Sequence, residues 1–381
     1  MNTRMREQGL GVRAFSSLWT RIGAMNRGAR WGSKVAEPSR LSRFGRPQRC
    51  FCGETPQPLS SGSWVVRWSL ATGFGWRWGW LLGWMIWLAV GSAVLAGERI
   101  VLATYNVENY LLNPSPTRKA KSEDSKAKVV EVLKRVGADI VGLQEIGGKG
   151  ALDDLQRRLK RVGLDYGYQE WVQGFDTNIQ VALLSRHPIV RRRPHVEDSY
   201  LLSGKRFRVS RGFLEADIRV GEGYQLTVWV AHLKSRRTSV EADEAEMRKA
   251  EARLLREKVE ARLREYPKAN LVVMGDLNDT HDSATVRGLL GRGKEAWVDT
   301  RPYERQGDTG YTPQARWKPR TVSWTHFYGV EDTYSRVDYV LLHPNAAREW
   351  RAGESYVPVV PDWGQASDHR PVVVVLEAVD R

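Results

Sequence analysis

Cysteine is almost absent from the sequence. The 381-residue chain has two cysteines, Cys50 and Cys52, and both precede residue 97. Residues 97–381 therefore contain no disulfide, no cysteine-ligated zinc and no thiol nucleophile. The absence of cysteine excludes these three kinds of chemistry. It is compatible with any cellular compartment.

Acidic residues are scarce in the first quarter of the chain. Residues 1–96 contain 13 Lys and Arg against 3 Asp and Glu, so they carry +10 of the formal net charge of +15. The remaining residues carry +5. The high pI of about 9.9 thus belongs mainly to the N-terminal segment and says little about the substrate of the rest.

The first 97 residues divide into two parts. Residues 1–62 are rich in Arg, Ser and Gly and lack an apolar period, which indicates a disordered basic segment or upstream sequence from a misplaced start codon. Residues 76–97 include an uncharged apolar run from Trp78, which suits a signal peptide or a membrane anchor. Basic residues precede this run, so both alternatives predict export of the domain at 98–381, either secreted or periplasmic, or anchored outside the cytoplasm.

Residues 98–381 alternate between short strands and helices. Apolar spacing predicts helices over Lys126–Val136 and Leu152–Val162, and a long surface helix over Val240–Tyr266. Residues 301–331 are predicted to be irregular. Predicted strands cover residues 98–105, 139–145, 166–171, 178–185, 211–218, 225–234, 271–274 and 336–342, with a last strand ending at 376. The pattern indicates an α/β or α+β domain with two packed sheets flanked by helices.

The stretch Gly275-Asp276-Leu277-Asn278 follows a Val-rich apolar strand. Residues two apart on an extended chain face the same side, so Asp276 and Asn278 are expected to face one cleft while Leu277 faces the core. A carboxylate and a carboxamide there can bind a hard cation, orient a water or hold a phosphate oxygen. The alternative is a solvated β-turn, because Gly, Asp and Asn are ordinary turn residues.

Similar polar residues end other predicted strands, and six short motifs share this property. They are Thr104-Tyr-Asn106-Val-Glu, Leu143-Gln-Glu145-Ile, Ala231-His232-Leu, Gly275-Asp276-Leu-Asn278, Ser335-Arg-Val-Asp338-Tyr and Ser367-Asp368-His369-Arg-Pro. Their order and types resemble the endonuclease/exonuclease/phosphatase superfamily, the DNase I-like hydrolases. The resemblance implies a four-layer α/β sandwich with two central mixed β-sheets and outer helices. It also implies Mg²⁺- or Mn²⁺-dependent hydrolysis of a phosphoester.

The same resemblance assigns a metal role to three residues. Glu145 is the expected ligand, since Mg²⁺ prefers oxygen donors and keeps several waters. Asn106 and Asp368 complete or orient the metal shell. The metal is expected to neutralise phosphate charge and to stabilise the leaving oxygen.

Five further residues are expected to act on the phosphate and the water. Asp276 orients or deprotonates the attacking water, Asn278 holds the phosphate, and His232 donates to a phosphate oxygen. Asp338 pairs with His369, fixes its tautomer and favours its cationic form.

Three more positions resemble substrate-binding residues, namely Asn178, Arg211 and Lys234. The remaining histidines are expected to be structural or surface residues. They are His187, His195, His281, His326 and His343.

The sequence says less about the substrate than about the reaction. His-Leu-Lys-Ser at 232–235 and the export signal resemble bacterial extracellular nuclease-like members, and basic clusters such as Arg236-Arg237 suit a phosphate backbone. We therefore expect a non-specific exported nuclease acting on DNA or RNA. A phospholipid or sphingomyelin phosphodiesterase is the alternative enzyme, and an inactive binding module of the same fold is the alternative of another class.

Overall fold

The computed structural model describes residues 97–304 and 322–379. Five α-helices lie in these residues: α1 (Glu123–Val136), α2 (Lys149–Arg161), α3 (Glu244–Glu265), α4 (Ala284–Leu290) and α5 (Pro344–Ala347). Fifteen β-strands lie in the same part of the chain: β1 (Glu98–Tyr110), β2 (Ile140–Ile146), β3 (Tyr168–Val172), β4 (Gln180–Ser185), β5 (Ile189–His195), β6 (Ser199–Leu202), β7 (Lys205–Arg208), β8 (Phe213–Val220), β9 (Tyr224–His232), β10 (Asn270–Asp276), β11 (Val298–Asp299), β12 (His326–Tyr328), β13 (Thr333–Ser335), β14 (Asp338–Leu342) and β15 (Val372–Ala378).

The strands form two large mixed sheets. The first sheet has the order β15-β1-β2-β4-β3, with β1 and β2 parallel and the other pairs antiparallel. The second has the order β11-β14-β10-β9-β8-β5, with β9 and β10 parallel and its other pairs antiparallel. Two separate hairpins, β6–β7 and β12–β13, complete the described strands.

The two sheets pack face to face, and helices cover their outer faces. Apolar side chains of both sheets form one buried cluster between them. Gly142 of β2 lies so close to the second sheet that an added Cβ would be 2.9 Å from Met274 Cε. A second cluster joins the first sheet to α1 and α2, and a third joins the second sheet to α3 and α4. The predicted four-layer α/β sandwich is therefore confirmed.

Capping residues set the helix boundaries. The predicted start of α1 at Lys126 is three residues late, because Ser122 caps the helix by accepting the N–H of Ser125 at 3.2 Å. Gly137 ends α1 in the left-handed conformation at φ 60°, as its position after the last apolar residue predicts. The long helix α3 begins after Asp243, whose carboxylate accepts the N–H groups of Ala245 and Glu246.

Two regions differ from the sequence prediction. Residues 189–195 form strand β5 although they carry three consecutive arginines, because β8 presents acidic partners: Arg193 donates to Glu215 at 2.8 Å and to Asp217 at 2.6 Å. The segment 301–331, predicted to be irregular, contains β12, which pairs with β13. Strand β5 is stabilised by a partner strand that is distant in sequence, and β12 is stabilised by the second arm of its own hairpin.

The N-terminal predictions fall elsewhere in the chain. Residues 1–62 and 76–96 lie outside the described residues, so the predicted basic segment and apolar export segment remain predictions. Among residues 97–304 and 322–379, no helix is long and apolar enough to cross a membrane.

Candidate active site

Strands of both sheets end at one place in the molecule. In the second sheet, Asp276 at the end of β10 lies opposite His232 of β9 and Asp338 of β14. In the first sheet, β1 carries Asn106 and the parallel strand β2 carries Glu145. Parallel pairing in both sheets explains this convergence, because parallel neighbours end at the same edge.

The Oδ2 atom of Asp276 is at the centre of the cluster. The side-chain amide of Asn106 donates to it at 3.0 Å, and Nε2 of His232 and of His369 lie 3.5 and 3.8 Å away. Its other oxygen accepts the N–H of Asn278 at 2.8 Å. Asp276 is 1 % exposed, so its carboxylate is held in one orientation with one oxygen facing three nitrogen groups.

His369 is held by groups from three segments. Its Nδ1 lies 2.8 Å from Oδ2 of Asp338, and its backbone N–H donates to Ser367 Oγ at 3.0 Å. Ser367 Oγ in turn donates to the backbone carbonyl of Asn106 at 2.8 Å. Asp338 is itself fixed because its N–H donates to Thr325 Oγ1 at 3.1 Å. The imidazole therefore presents Nε2 to Asp276, as its predicted pairing with Asp338 requires.

A bulge turns Glu145 towards the same place. The register of β2 shifts between Gln144 and Ile146 against β4, and Glu145 has φ +66°. Bulges next to active sites redirect a side chain in this way. The carboxylate lies 3.5 Å from Asn106 Nδ2 and accepts the N–H of Asn109 at 2.9 Å.

Burial and charge set the protonation of the cluster. Burial and the nearby Asp338 carboxylate raise the pKa of Asp276 to about 6, although His369 opposes the rise. Burial by itself lowers the pKa of His369, but Asp338 and Asp276 together raise it well above its usual 6.5. Burial holds the pKa of His232 well below 6.5, and the charge of Arg211 adds to this effect. The cluster thus combines a cationic His369 with a neutral His232.

The donor set fits a hard divalent cation. The carboxylates of Glu145 and Asp276 lie 3.5 and 3.0 Å from Asn106 Nδ2, and those of Asp338 and Asp368 lie 2.8 and 3.9 Å from the His369 ring nitrogens. Oxygen donors of this kind are those that Mg²⁺ and Mn²⁺ prefer. Two groups of carboxylate and imidazole have ligand atoms within 4.8 Å of one another. The first is Asp276, Asp338 and His369, and the second is His326, Asp368 and His369. Asn106 donates its amide N–H groups to the carboxylates and therefore orients the ligands in this arrangement.

The other predicted residues lie at the rim. Asn278 has φ +53°, and its side-chain amide donates to the Leu233 carbonyl at 3.0 Å. Arg211 donates to the same carbonyl at 3.2 Å, and its Nε lies 3.6 Å from Asp176. The backbone N–H of Asn178 donates to that Asp176 carboxylate at 2.9 Å, which ties it to Arg211.

Lys234 lies in the loop that follows strand β9. Strand β9 ends at His232, so the alternation that put Lys234 on the same face as His232 stops before it. Its backbone N–H donates to Glu251 at 2.7 Å. Burial lowers the pKa of the Lys234 ammonium, and Arg211 lowers it further. The carboxylates of Glu251 and Glu244 on α3 oppose this lowering.

Sequence reasoning missed two members of the site. His326, expected to be structural or surface, lies with its ring centroid 4.5 Å from that of His369 and its Nε2 3.8 Å from Asp368. Arg118 lies 3.7 Å from the Glu145 carboxylate. Neither residue belongs to a recognisable motif, and His326 is brought in by the backbone bridge between it and His369.

The fold and this cluster together define a class of phosphoester hydrolases. The chain belongs to the Endonuclease/Exonuclease/phosphatase family, whose sequence pattern matches residues 103–369. This match covers the first five motifs and residues 367–369 of the sixth, and it confirms the predicted superfamily.

Solved structures show the same fold. The human Nocturnin catalytic domain with bound sulfate is 16 % identical, with 73 % of this chain and 93 % of that chain covered and a TM-score of 0.51. An endonuclease/exonuclease/phosphatase from Bacteroides vulgatus is 14 % identical, with 74 % and 100 % covered and a TM-score of 0.50. A search of curated proteins gave no match.

Proposed function

We propose that this protein is a Mg²⁺- or Mn²⁺-dependent phosphodiesterase that hydrolyses nucleic acid, DNA or RNA, outside the cytoplasm. The observation that carries the hydrolase is the meeting of Glu145, Asp276 and His369 around one amide group, that of Asn106. These side chains come from distant parts of the sequence and from both sheets. If residues 275–278 formed only a solvated turn, these side chains would have no cause to meet.

The residues of the chain divide the reaction between them. Oδ2 of Asp276 accepts a proton from the attacking water, for which a pKa of about 6 is suitable near neutral pH. The cationic His369, oriented by Asp338, stabilises charge that develops on the phosphoryl oxygens. The Nε2 atom of His232 lies 3.5 Å from Oδ2 of Asp276, so this ring nitrogen is placed at the cluster to donate to a phosphate oxygen.

Glu145, with Asp368, would hold the divalent ion, and Asn106 would orient Glu145. A bound ion supplies charge neutralisation and stabilises the leaving oxygen. The bond that breaks joins phosphorus to the leaving ester oxygen, while the new bond joins phosphorus to the water oxygen.

The surface charge supports a polyanionic substrate. Some basic side chains on the surface pair with carboxylates, as with Lys160 and Asp165 at 2.8 Å or Arg192 and Glu170 at 2.6 Å. Arg236 also pairs with a carboxylate, that of Asp279 at 3.6 Å, but its Nε donates to the Asn278 carbonyl at 3.0 Å, so it lies at the rim of the site. The next residue, Arg237, is exposed. This pair is placed to contact phosphates that flank the reacting one.

Export is supported by the apolar run at 78–97 with basic residues before it. Fractionation of cells expressing the full chain is expected to place activity in the medium, the periplasm or the membrane. Activity confined to the cytoplasm would contradict the export proposal while leaving the chemistry untouched.

The hydrolase proposal predicts the effect of two substitutions. Asp276→Asn and His369→Ala are each expected to lower the plasmid-nicking rate by roughly 100-fold or more, because they remove the proton acceptor or the cation. EDTA is expected to silence the wild type, and Mg²⁺ or Mn²⁺ to restore it. A sphingomyelin assay run beside the nicking assay separates the two substrate classes.

Asp217→Asn serves as the matched control. Asp217 is equally buried but lies on β8 with Arg193 and Thr227 as partners. It is expected to lose stability and to keep its turnover number. Nicking activity retained by Asp276→Asn or His369→Ala would refute the assignment.

A further inference from the structure

The β12–β13 hairpin is attached directly to the candidate active site. His326 of β12 forms a backbone bridge with His369, and the N–H of Phe327 donates to the carbonyl of Asp368 at 2.9 Å. The hairpin therefore keeps a fixed position relative to the turn that carries His369.

Rings on one face of this hairpin form a row that starts at His369. The centroids of His369 and His326 are 4.5 Å apart. Those of His326 and Tyr328 are 6.4 Å apart, with 26° between the ring planes. His326 and Tyr328 are two residues apart on a strand and share a face. Because Tyr328 is 44 % exposed, the row leads from the catalytic imidazole to an accessible ring.

Rings on the other face hold the hairpin in place. Phe327 stacks on Tyr334 with centroids 4.6 Å apart. Trp324 packs on Tyr334 at 4.8 Å and on Trp363 at 5.2 Å. The guanidinium of Arg370 lies 3.4 Å from the centroid of Trp324. This packing fixes the orientation of the strand that presents Tyr328.

We propose that Tyr328 stacks on a base of the nucleic-acid substrate beside the phosphate that is hydrolysed. The inference rests on the proposed nuclease function and specifies a single-stranded or unpaired substrate, since a base inside a duplex is stacked on both of its faces. Aromatic rings accept every base, because each base has a π-face. The stack therefore provides affinity without sequence preference.

The turn of the hairpin favours a base over a lipid. Glu331 and Asp332 lie at this turn next to Val330. The side chain of Val330 is 82 % exposed. Insertion of the turn into a bilayer would remove both carboxylates from water, at a large cost. The same carboxylates repel phosphates, so the backbone of the substrate leaves the site before the turn and one base reaches Tyr328.

The test uses one oligonucleotide in two forms. The first is single-stranded with one hydrolysable linkage, and the second has abasic sugars on both sides of that linkage. KM and kcat are measured in Mg²⁺ for the full-length wild type, Tyr328→Ala and Tyr328→Trp. Tyr328→Ala is expected to raise KM on the first form roughly five- to 150-fold, the range that base–aromatic stacking gives. Tyr328→Trp is expected to keep the wild-type KM, and all three enzymes are expected to have equal KM on the abasic form.

Tyr168→Ala is the matched control, since Tyr168 is a similarly exposed tyrosine, at 37 %, on β3. It is expected to behave as the wild type on both forms. Thermal unfolding checks that the Tyr328 variants are folded, and Tyr328→Leu replaces Tyr328→Ala if the latter is not.

Three results would overturn this inference and leave the proposed function standing. They are an unchanged KM for Tyr328→Ala, an equal rise in its KM on the abasic form, and a loss of activity in Tyr328→Ala that is confined to sphingomyelin vesicles. A wild type that hydrolyses no nucleic acid removes the proposed function together with this inference. The two failures are therefore distinguishable by the wild-type rate.

Discussion

Individual side chains in this protein take their chemistry from their surroundings. Asp276 is a carboxylate like many others in the chain, yet burial and Asp338 raise its pKa to about 6. His369 and His232 flank it with opposite shifts in pKa, because two carboxylates face the first and burial dominates the second. The environment therefore makes one imidazole cationic and the other neutral within one cluster.

A histidine far from this cluster makes stability depend on pH. Burial lowers the pKa of His343 below its usual 6.5, although Glu295 opposes the shift. Its Nδ1 accepts the N–H of Asn345 at 3.3 Å as the cap of α5. The unfolded chain binds a proton at a higher pH than the folded one, so this contribution to stability is complete above pH 6.5 and is lost as the pH falls below it.

We expect the free energy of unfolding in urea to fall by on the order of 1 kcal/mol between pH 7.5 and pH 5.5 through this group, as for other lost caps. His343→Asn keeps a capping side chain that does not titrate there, and is expected to flatten the pH dependence. His281→Asn, at an exposed position, is the control and should keep the wild-type slope. Equal slopes in all three proteins would contradict the prediction.

At the scale of secondary-structure elements, the strand that carries Asp276, β10, approaches its neighbour β9 closely. Gly275 has φ +143°, and an added Cβ would lie 1.9 Å from the Ala231 carbonyl oxygen. Only glycine fits this backbone position without moving one of two central strands. Packing between these two strands therefore requires glycine at the position before Asp276.

Gly275→Ala is expected to reduce the free energy of unfolding by about 3 kcal/mol or more, since backbone strain and a steric clash act together. Urea unfolding measures the loss. Gly288→Ala is the control, because Gly288 lies inside α4 with open space around it. There alanine is expected to stabilise the helix by up to about 1 kcal/mol. A Gly275 variant as stable as the Gly288 variant would show that the strands adjust freely.

Helix α3 positions two loops of the site through one buried carboxylate. Glu251 is 0 % exposed and accepts the N–H groups of Ser210 at 3.1 Å and Lys234 at 2.7 Å. These residues adjoin Arg211 and the end of β9, which carries His232. The helix thus controls groups at the rim of the site without touching the reacting atoms.

We expect Glu251→Gln to cost about 1–3 kcal/mol of stability, because its NH₂ group replaces one of two buried acceptors. It should also raise KM more than it lowers kcat. Glu257→Gln, on an exposed part of the same helix, should change stability by less than about 0.5 kcal/mol. An unaltered KM in Glu251→Gln would show that the loops hold their positions by other contacts.

At the scale of the whole molecule, charge at the rim of the site should control the response to salt. Replacing both Arg236 and Arg237 by Gln is expected to weaken oligonucleotide binding and to lower the slope of log affinity against log salt by roughly 1–2. Fluorescence anisotropy in an Asp276→Asn background with Mg²⁺ measures binding without hydrolysis. Replacing Arg157 and Lys160, which pair with acidic neighbours on and after α2, should leave the slope unchanged.

The sequence by itself determined the class of fold, the family and the identity of the residues that end the strands. Apolar periodicity depends on neighbours within a few positions, and the six motifs are contiguous, so both are visible without coordinates. Strand β5 and the β12–β13 hairpin escaped notice because their stability depends on partners such as Glu215 and on contacts with the His369 turn.

Only the tertiary structure decided which of these residues meet. It brought His326 and Arg118 to the cluster. It also set Asp338 2.8 Å from His369 and paired Arg336 with Asp299 at 2.6 Å. Through-space distances of 3–4 Å and loss of water decide such pairings, and neither is a property of the chain before it folds.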